Sequence, residues 1–514
     1  MGGRFETIAD DRVSFARARG PLGGRSGLAG DGSVIEHRCN RRTFLSACAV
    51  AGAGLVAGFP LGSERVRPSP AQLAYQRRER ALFLHFGVNT FTNQEWGTGD
   101  ESPSVFNPTA LDARQWARCA RASGFRSMVL TAKHHDGFCL WPSALTDHSV
   151  RRSPWRGGAG DVVRDFTNAC RAEGLGAGLY LSPWDRHEPS YGDSPRYNDF
   201  YVAQLTELLT RYGPIAEVWF DGANGEGPNG KLQTYDWDRF HRTVRRLQPH
   251  AVMFSDAGPD VRWIGNEHGV AGDPNWAMVD PRAVPFPGAT GPAVDRMLQH
   301  GDAAGSVWRP GEADVSIRPG WFWHAAESAN VKSADELVDL FFVSVGRNAN
   351  LLLNVPPNRA GLLDDVDVSR LAAFSTKLAS QFAGNLGAEA RMSASSEASG
   401  HGARAVVDGD PDTWWSPRDG DRSPSVVAMF RGPGRIGVIE IQEAIQNGQR
   451  VAAYGVDALV GGTWQAISTG TTIGHRKLDR LSQLAAGGVR LRILSSLGAP
   501  QIATLAVWPG PGQP

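Results

Sequence analysis

From about residue 66 onward, short apolar runs alternate with amphipathic stretches. The apolar runs at 82–91, 127–133, 176–182, 216–221, 251–255, 261–266, 315–323 and 350–355 predict strands. Stretches at 111–123, 162–173, 199–212, 236–247, 334–345 and 362–383 predict helices. In the fifth of these, Leu337, Leu340, Phe341 and Val345 recur at the spacing of one helical face. Eight strands with helices between them predict a (β/α)8 barrel. The alternative is an open doubly wound sheet, but no Gly-x-Gly-x-x-Gly turn follows the first strand. Only residues 256–260 separate the fifth and sixth strands, too few for a helix, so the barrel is expected to be irregular.

Beyond about residue 385 the helical period stops. Short alternating segments at 425–430, 436–442, 453–459, 488–493 and 502–507, separated by glycine-rich turns, predict a β-sandwich. The boundary is expected within 384–399, giving a barrel over 66–384 and a sandwich over 385–514. Ahead of the barrel, residues 1–37 are rich in Gly, Arg and Asp without apolar period and are expected to be disordered. Asn40-Arg41-Arg42-Thr43-Phe44-Leu45 and the Ala/Val/Gly-rich stretch to Pro60 then resemble a twin-arginine export signal, so the mature chain is expected to be exported without residues 1–65. Cys39 and Cys48 would leave with that signal. Cys119, Cys139 and Cys170 remain, an odd and widely spaced set that is not a disulfide framework.

Charge then narrows the partners. The chain has 53 basic and 53 acidic residues, without the basic surplus that nucleic-acid binding needs. The first 65 residues hold 9 arginines and 6 acids, which leaves the remainder mildly acidic, with 44 basic against 47 acidic residues. No run of 18 apolar residues is free of glycine and polar breaks, so insertion into a membrane is not expected after signal removal. All 16 tryptophans lie beyond residue 65. They are either core packing or platforms for the C–H faces of sugars.

In a barrel the chemistry gathers at the C-terminal ends of the strands. The first strand carries His85 and runs out to Asn89, Asn93, Glu95 and Trp96; the second ends in Lys133-His134-His135-Asp136. The third ends in Trp184-Asp185, the fourth in Asp221 and the sixth in Glu267-His268. Two acids at the ends of different strands, Asp221 and Glu267, are what glycoside hydrolysis needs: one attacks or activates, the other protonates the leaving oxygen. His134-His135 with Asp136, Asp185 and Asp221 also permits a metal-dependent hydrolase. Against that reading, neighbouring strand residues point to opposite faces.

Phe83-Leu84-His85-Phe86-Gly87, Thr131-Ala132-Lys133-His134-His135-Asp136-Gly137-Phe138 and Val218-Trp219-Phe220-Asp221-Gly222 together closely resemble the family 29 glycoside hydrolases, the α-L-fucosidases, over about residues 70–380. The resemblance implies an irregular barrel and a retaining double displacement that needs no cofactor for catalysis. It makes Asp221 the nucleophile and His85, His134 and His135 ligands of fucose hydroxyls; Glu95, Trp96, Trp184 and Trp323 follow as further sugar-binding positions. Arg262-Trp263-Ile264-Gly265-Asn266-Glu267-His268-Gly269 resembles the branch specific for α-1,3/1,4 linkages in Lewis-type glycans, which makes Glu267 the acid/base, ahead of Glu226, Glu95 and Glu188. The alternatives are a broader α-L-fucosidase that also takes α-1,2 linkages, and a non-catalytic fucose-binding lectin.

The second domain also resembles a known module. Ala405-Val406-Val407-Asp408-Gly409-Asp410-Pro411-Asp412-Thr413-Trp414-Trp415 resembles the discoidin, or coagulation-factor type C, module, a jelly-roll sandwich. That resemblance implies a structural calcium held by carbonyls with Asp408, Asp410 and Thr413. The plain alternative is an Asx turn.

Overall fold

The computed structural model of the chain describes residues 65–511. The proposed export segment and the first two cysteines lie outside them. The three remaining cysteines are unpaired. Among the described residues no helix is long and apolar enough to cross a membrane.

The first part is a closed barrel of eight parallel strands: β1 (Arg80–Leu84), β2 (Ser127–Lys133), β3 (Gly176–Leu181), β4 (Glu217–Trp219), β5 (Val252–Ser255), β6 (Val261–Trp263), β9 (Gly311–Ser316) and β10 (Ala349–Asn354). It closes where β1 pairs with β10, from Arg80 against Leu351 to Phe83 against Asn354. Every residue of β2 and β10 is buried, as parallel strands covered on both faces require. The helices are α1 (Pro70–Gln76), α2 (Val88–Thr92), α3 (Ala113–Ala122), α4 (Val162–Ala172), α5 (Ser194–Arg211), α6 (Trp237–Leu247), α7 (Pro292–His300), α8 (Ala334–Val343) and α9 (Asp365–Gln381). Side chains start several of them. Asp112, Asp161 and Asp236 accept backbone N–H groups at the beginnings of α3, α4 and α6, and Ser333 with Glu336 forms a reciprocal cap on α8.

The expected irregularity falls where the spacing placed it. β5 and β6 are parallel neighbours with no helix between them. A long excursion then runs from β6 to β9. It contains α7 and the short antiparallel pair β7 (Met278–Val279) and β8 (Val307–Trp308), none of which the apolar pattern predicted. Several strand boundaries differ from expectation, those of β1 and β9 most. The first strand stops at Leu84, because the chain turns into α2 after Gly87. The strand expected at 315–323 is β9, at Gly311–Ser316. Its inward Glu312 and Asp314 disguise it as polar.

The second part is antiparallel throughout: β11 (Arg391–Ala394), β12 (Ser425–Glu443), β13 (Val451–Val460), β14 (Thr463–Gly470), β15 (Lys477–Ser496) and β16 (Ile502–Trp508). The two runs expected at 425–430 and 436–442 are one strand, β12. It pairs with β15 on both sides of register shifts after Met429 and Ile436. Hydrogen bonding links all six strands continuously, around a core that includes Trp415, Ile439, Tyr454 and Leu491.

The sheet is tied to the barrel. Trp276, Met278 and Trp308 of the excursion share a core with Ile445. Lys477 pairs with Asp273 at 2.5 Å. Arg476 reaches Glu79, one residue before β1, at 2.9 Å and Glu440 at 3.1 Å. Burial alone would raise the Glu79 carboxyl, but Arg476 and His475 outweigh it and hold it down at about 2. The stabilisation this pair gives is present above the ordinary glutamate range and is lost as pH falls toward 2. Arg476→Ala leaves Glu79 without its main partner. It should cost about 3 kcal/mol in denaturant unfolding at neutral pH, with a smaller loss at low pH; an equal loss at both would contradict this account.

Candidate active site

The C-terminal ends of the strands converge on one pocket. His85 follows β1 by one residue, His134 and His135 follow β2, Asp221 lies two residues past β4, and Glu267 four past β6. His134 and His135 have left the strand, so strand alternation no longer separates them. Their rings lie 4.1 Å apart, which corrects the expectation that they face opposite ways. His85 is 5.5 Å from His134, and His135 packs on Trp184 at 4.8 Å. Trp96 stands edge-on to both Trp184 and His135.

Two donors reach Asp221. Its Oδ1 accepts the Ala223 N–H at 2.7 Å, and its Oδ2 accepts the Tyr180 hydroxyl at 2.9 Å. His135 Nε2 lies 3.9 Å from the same Oδ2. This is the arrangement that an ionised carboxylate accepts. The histidines around it are neutral. Burial pushes His85 down to about 3, His135 to about 4, and His134 well below the usual histidine range.

The hydrogen-bond network assigns their tautomers. Ser182 Oγ donates to Trp184 O at 2.7 Å, so toward His135 Nδ1, also at 2.7 Å, it acts as acceptor. The Asn354 amide donates to Ser316 Oγ and Trp321 O, which turns its Oδ1 to His85 Nδ1 at 2.9 Å. Both imidazoles therefore carry their proton on Nδ1. Their Nε2 atoms are acceptors, suited to polyol hydroxyls.

Glu267 sits in a different environment. Burial pushes its carboxyl up to about 7; a hydrogen bond with Trp321 opposes the rise, and the negative charges of Asp221 and Glu95 add to it. Asp314, buried beside it and held by Trp263 Nε1 at 2.7 Å, is raised too, by burial first and by the Glu267 charge second. One carboxyl that burial raises to about 7 and one that accepts two hydrogen bonds thus share the site.

The comparisons agree with this geometry. The family described as Alpha-L-fucosidase matches residues 74–381, and the F5/8 type C domain matches residues 391–506. "Alpha-L-fucosidase 1" of Arabidopsis thaliana is 46% identical over 448 residues, covering 86% of this chain and 87% of that protein. The chain belongs to the alpha-L-fucosidase family. Among solved structures, SpGH29 aligns with TM-score 0.82 at 40% identity over 87% of this chain and 99% of its own. A Ruminococcus gnavus GH29 fucosidase in complex with fucose aligns with TM-score 0.80 at 34% identity over 88% of this chain and 97% of its own. The protein is thus a glycoside hydrolase acting on fucosylated glycans, with a type C module behind its barrel.

Within this fucosidase the remaining expected residues separate. Glu95 faces the protein as much as the pocket. Its carboxylate accepts the N–H groups of Trp321 at 2.8 Å and Phe322 at 3.2 Å, and pairs with His324 at 2.6 Å. A Cβ at Gly320 would lie 2.4 Å from Glu95 Oε1, so glycine leaves room for the carboxylate. Glu95 thereby fastens the loop whose Trp321 packs on His85 at 5.1 Å and whose Phe322 stands edge-on to His85 and His134. Trp323 is anchored elsewhere, its indole donating to Asp364 at 2.9 Å beneath the Arg318 guanidinium.

The rival acids are engaged or remote. Glu188 accepts from Ser190, and Glu226 is exposed and offers only its carbonyl to Trp184. Asp185 is buried against Lys133 at 2.7 Å, and Asp136 accepts from Asn89 and the Phe138 N–H; among the described residues no group of three or more His, Cys, Asp or Glu is placed to hold a metal ion. Sequence reasoning missed Tyr180, Trp321, Phe322 and Asn354. Tyr180 reads as strand core, and the loop aromatics read as strand.

Glu95→Ala should release the Trp321–His324 loop and lower kcat/KM about a hundredfold, the cost of ångström-scale misplacement. Acrylamide quenching of tryptophan fluorescence should increase as well. Full activity with unchanged quenching would contradict the fastening role.

Proposed function

We propose that this fucosidase removes terminal α-1,3/1,4-linked fucose from branched, Lewis-type glycans by double displacement, with Asp221 as nucleophile and Glu267 as acid/base. The observation that carries the mechanism is the pairing of an Asp221 that accepts two hydrogen bonds with a Glu267 that burial keeps protonated to about pH 7. In the first step Asp221 attacks the anomeric carbon, the glycosidic C–O bond breaks, and the Glu267 proton goes to the departing oxygen. In the second, Glu267, now a carboxylate, takes a proton from water. The water oxygen displaces Asp221 from the anomeric carbon, which restores both groups. The neutral His85 and His135 accept hydrogen bonds from sugar hydroxyls at Nε2 and stay uncharged, so no imidazolium competes for the Asp221 carboxylate. The segment Arg262–Gly269, which carries Glu267, supports the linkage reading by its resemblance to the α-1,3/1,4 branch.

In the type C module, Asp408 Oδ2 accepts from Thr413 Oγ1 at 2.7 Å. Asp408 Oδ1 accepts the Asp410 N–H, and the Asp410 carbonyl faces Thr413 Oγ1 at 3.2 Å. This all-oxygen turn has the donor chemistry of a calcium site, and Asp408, Asp410 and Thr413 with neighbouring carbonyls would hold the ion. Its role is in stability, so calcium addition after EDTA dialysis should raise the melting temperature with little change in kcat. No shift with calcium would refute the site.

Asp221→Ala should lower kcat by about 10⁴, with azide restoring part of the turnover. Glu267→Ala should retain most activity on substrates with acidic leaving groups. In the unmodified enzyme kcat/KM should fall as pH rises through about 7, where Glu267 loses its proton. Equal losses on all leaving groups in Glu267→Ala, or a flat profile from about pH 6 to about pH 9, would point to another acid. Faster release from α-1,2-linked than from α-1,3/1,4-linked oligosaccharides would overturn the linkage reading.

A further inference from the structure

We propose that Phe286 is the stacking platform for the sugar to which the fucose is attached. Phe286 is 55% exposed, unusual for a large aromatic, yet its backbone is firmly held. Phe286-Pro287-Gly288-Ala289 has the marks of a type II turn: Pro at the second position, Gly at the third with φ +83°, and the Ala289 N–H donating to Phe286 O at 3.2 Å.

That turn is seated directly on the nucleophile's neighbour. The Gly288 N–H donates to Asp256 Oδ2 at 2.9 Å. A Cβ at Gly222 would lie 2.6 Å from Gly288 N, and a Cβ at Gly288 only 2.5 Å from Gly222 O. Backbone meets backbone here, and both glycines are required for the approach. On its other side the loop is rooted in the cluster of Val284, Val294 and Leu298 with Trp263, four residues ahead of Glu267.

The turn therefore spans the rim between the strand end that carries Asp221 and the one that carries Glu267. This is the sector where the barrel lacks its own strand-to-helix loop, because β5 passes straight into β6. The chemistry says what passes there. Glu267 protonates the leaving oxygen, so the sugar beyond that oxygen lies on the Glu267 side of the pocket mouth. An aromatic face on a rigid turn gives such a ring an apolar C–H contact at low entropic cost.

This inference rests on the assignment of Asp221 and Glu267 above but not on the linkage. The test compares two substrates in unmodified enzyme, Phe286→Ala and Phe286→Trp. One is α-L-fucosyl fluoride, which has no sugar beyond the scissile bond. The other is whichever fucosylated oligosaccharide the unmodified enzyme cleaves fastest. In Phe286→Ala the ratio of kcat/KM for oligosaccharide to that for fluoride should fall about tenfold, the scale of one aromatic contact, and Phe286→Trp should restore it. An unchanged ratio overturns the proposal, whether activity stays the same or falls on both substrates. So does a ratio that Phe286→Trp fails to restore. A wrong linkage reading would show instead in the substrate ranking of the unmodified enzyme.

Discussion

Closure of the barrel between β1 and β10 is the constraint on which the site depends. Parallel pairing around the ring fixes the height of each strand end, and so brings His85, His134, Asp221, Glu267 and Trp321 together from parts of the chain more than 200 residues apart. The floor under them is an aromatic layer of Phe83, Tyr180, Trp219 and Phe254, with Trp219 stacked on Phe254 at 4.2 Å. Tyr180 belongs to both levels, since its ring packs in that layer and its hydroxyl reaches Asp221. Below, Glu312 accepts from Tyr75 at 2.6 Å and from Trp219 at 2.9 Å. Burial raises both Glu312 and its neighbour Glu217, so a shared proton between them spares the interior a second buried charge. The packing that closes the barrel is thus the packing that aims Asp221.

The pocket's electrostatics follow from that enclosure. Desolvation acts on every titratable group in it and favours whichever form is neutral. The histidines lose their protons and Glu267 keeps its own. Asp221, beside them, accepts two hydrogen bonds, from Tyr180 and the Ala223 N–H. One enclosed space thereby sets two carboxyls in different surroundings.

The fold class was legible in the chain because parallel barrel strands are continuously apolar and their helices amphipathic. The irregular β5–β6 junction followed from counting five residues. What escaped notice shares a physical reason. Glu312 and Asp314 are inward carboxyls whose partners come from other strands, so β9 read as polar and its expected position slid toward Trp323. Trp321 and Trp323 are indistinguishable by composition, and only the loop fastened by Glu95 decides which indole turns to the pocket. β11 and β14 are half-exposed strands with weak alternation. Asp221, Glu267 and the three histidines were legible because they interrupt or follow apolar runs that a core would have kept apolar. Tyr180 was not, because a tyrosine inside a strand looks like core and here is core as well.

The central claim is that Asp221 becomes covalently bonded to fucose, with Glu267 serving first as acid and then as base. It is tested most directly by following the first seconds of hydrolysis by proton NMR, before the released sugar mutarotates. The account predicts that α-L-fucose appears first, the anomer of the substrate. The β anomer as first product would mean a single displacement by water, and would contradict the account.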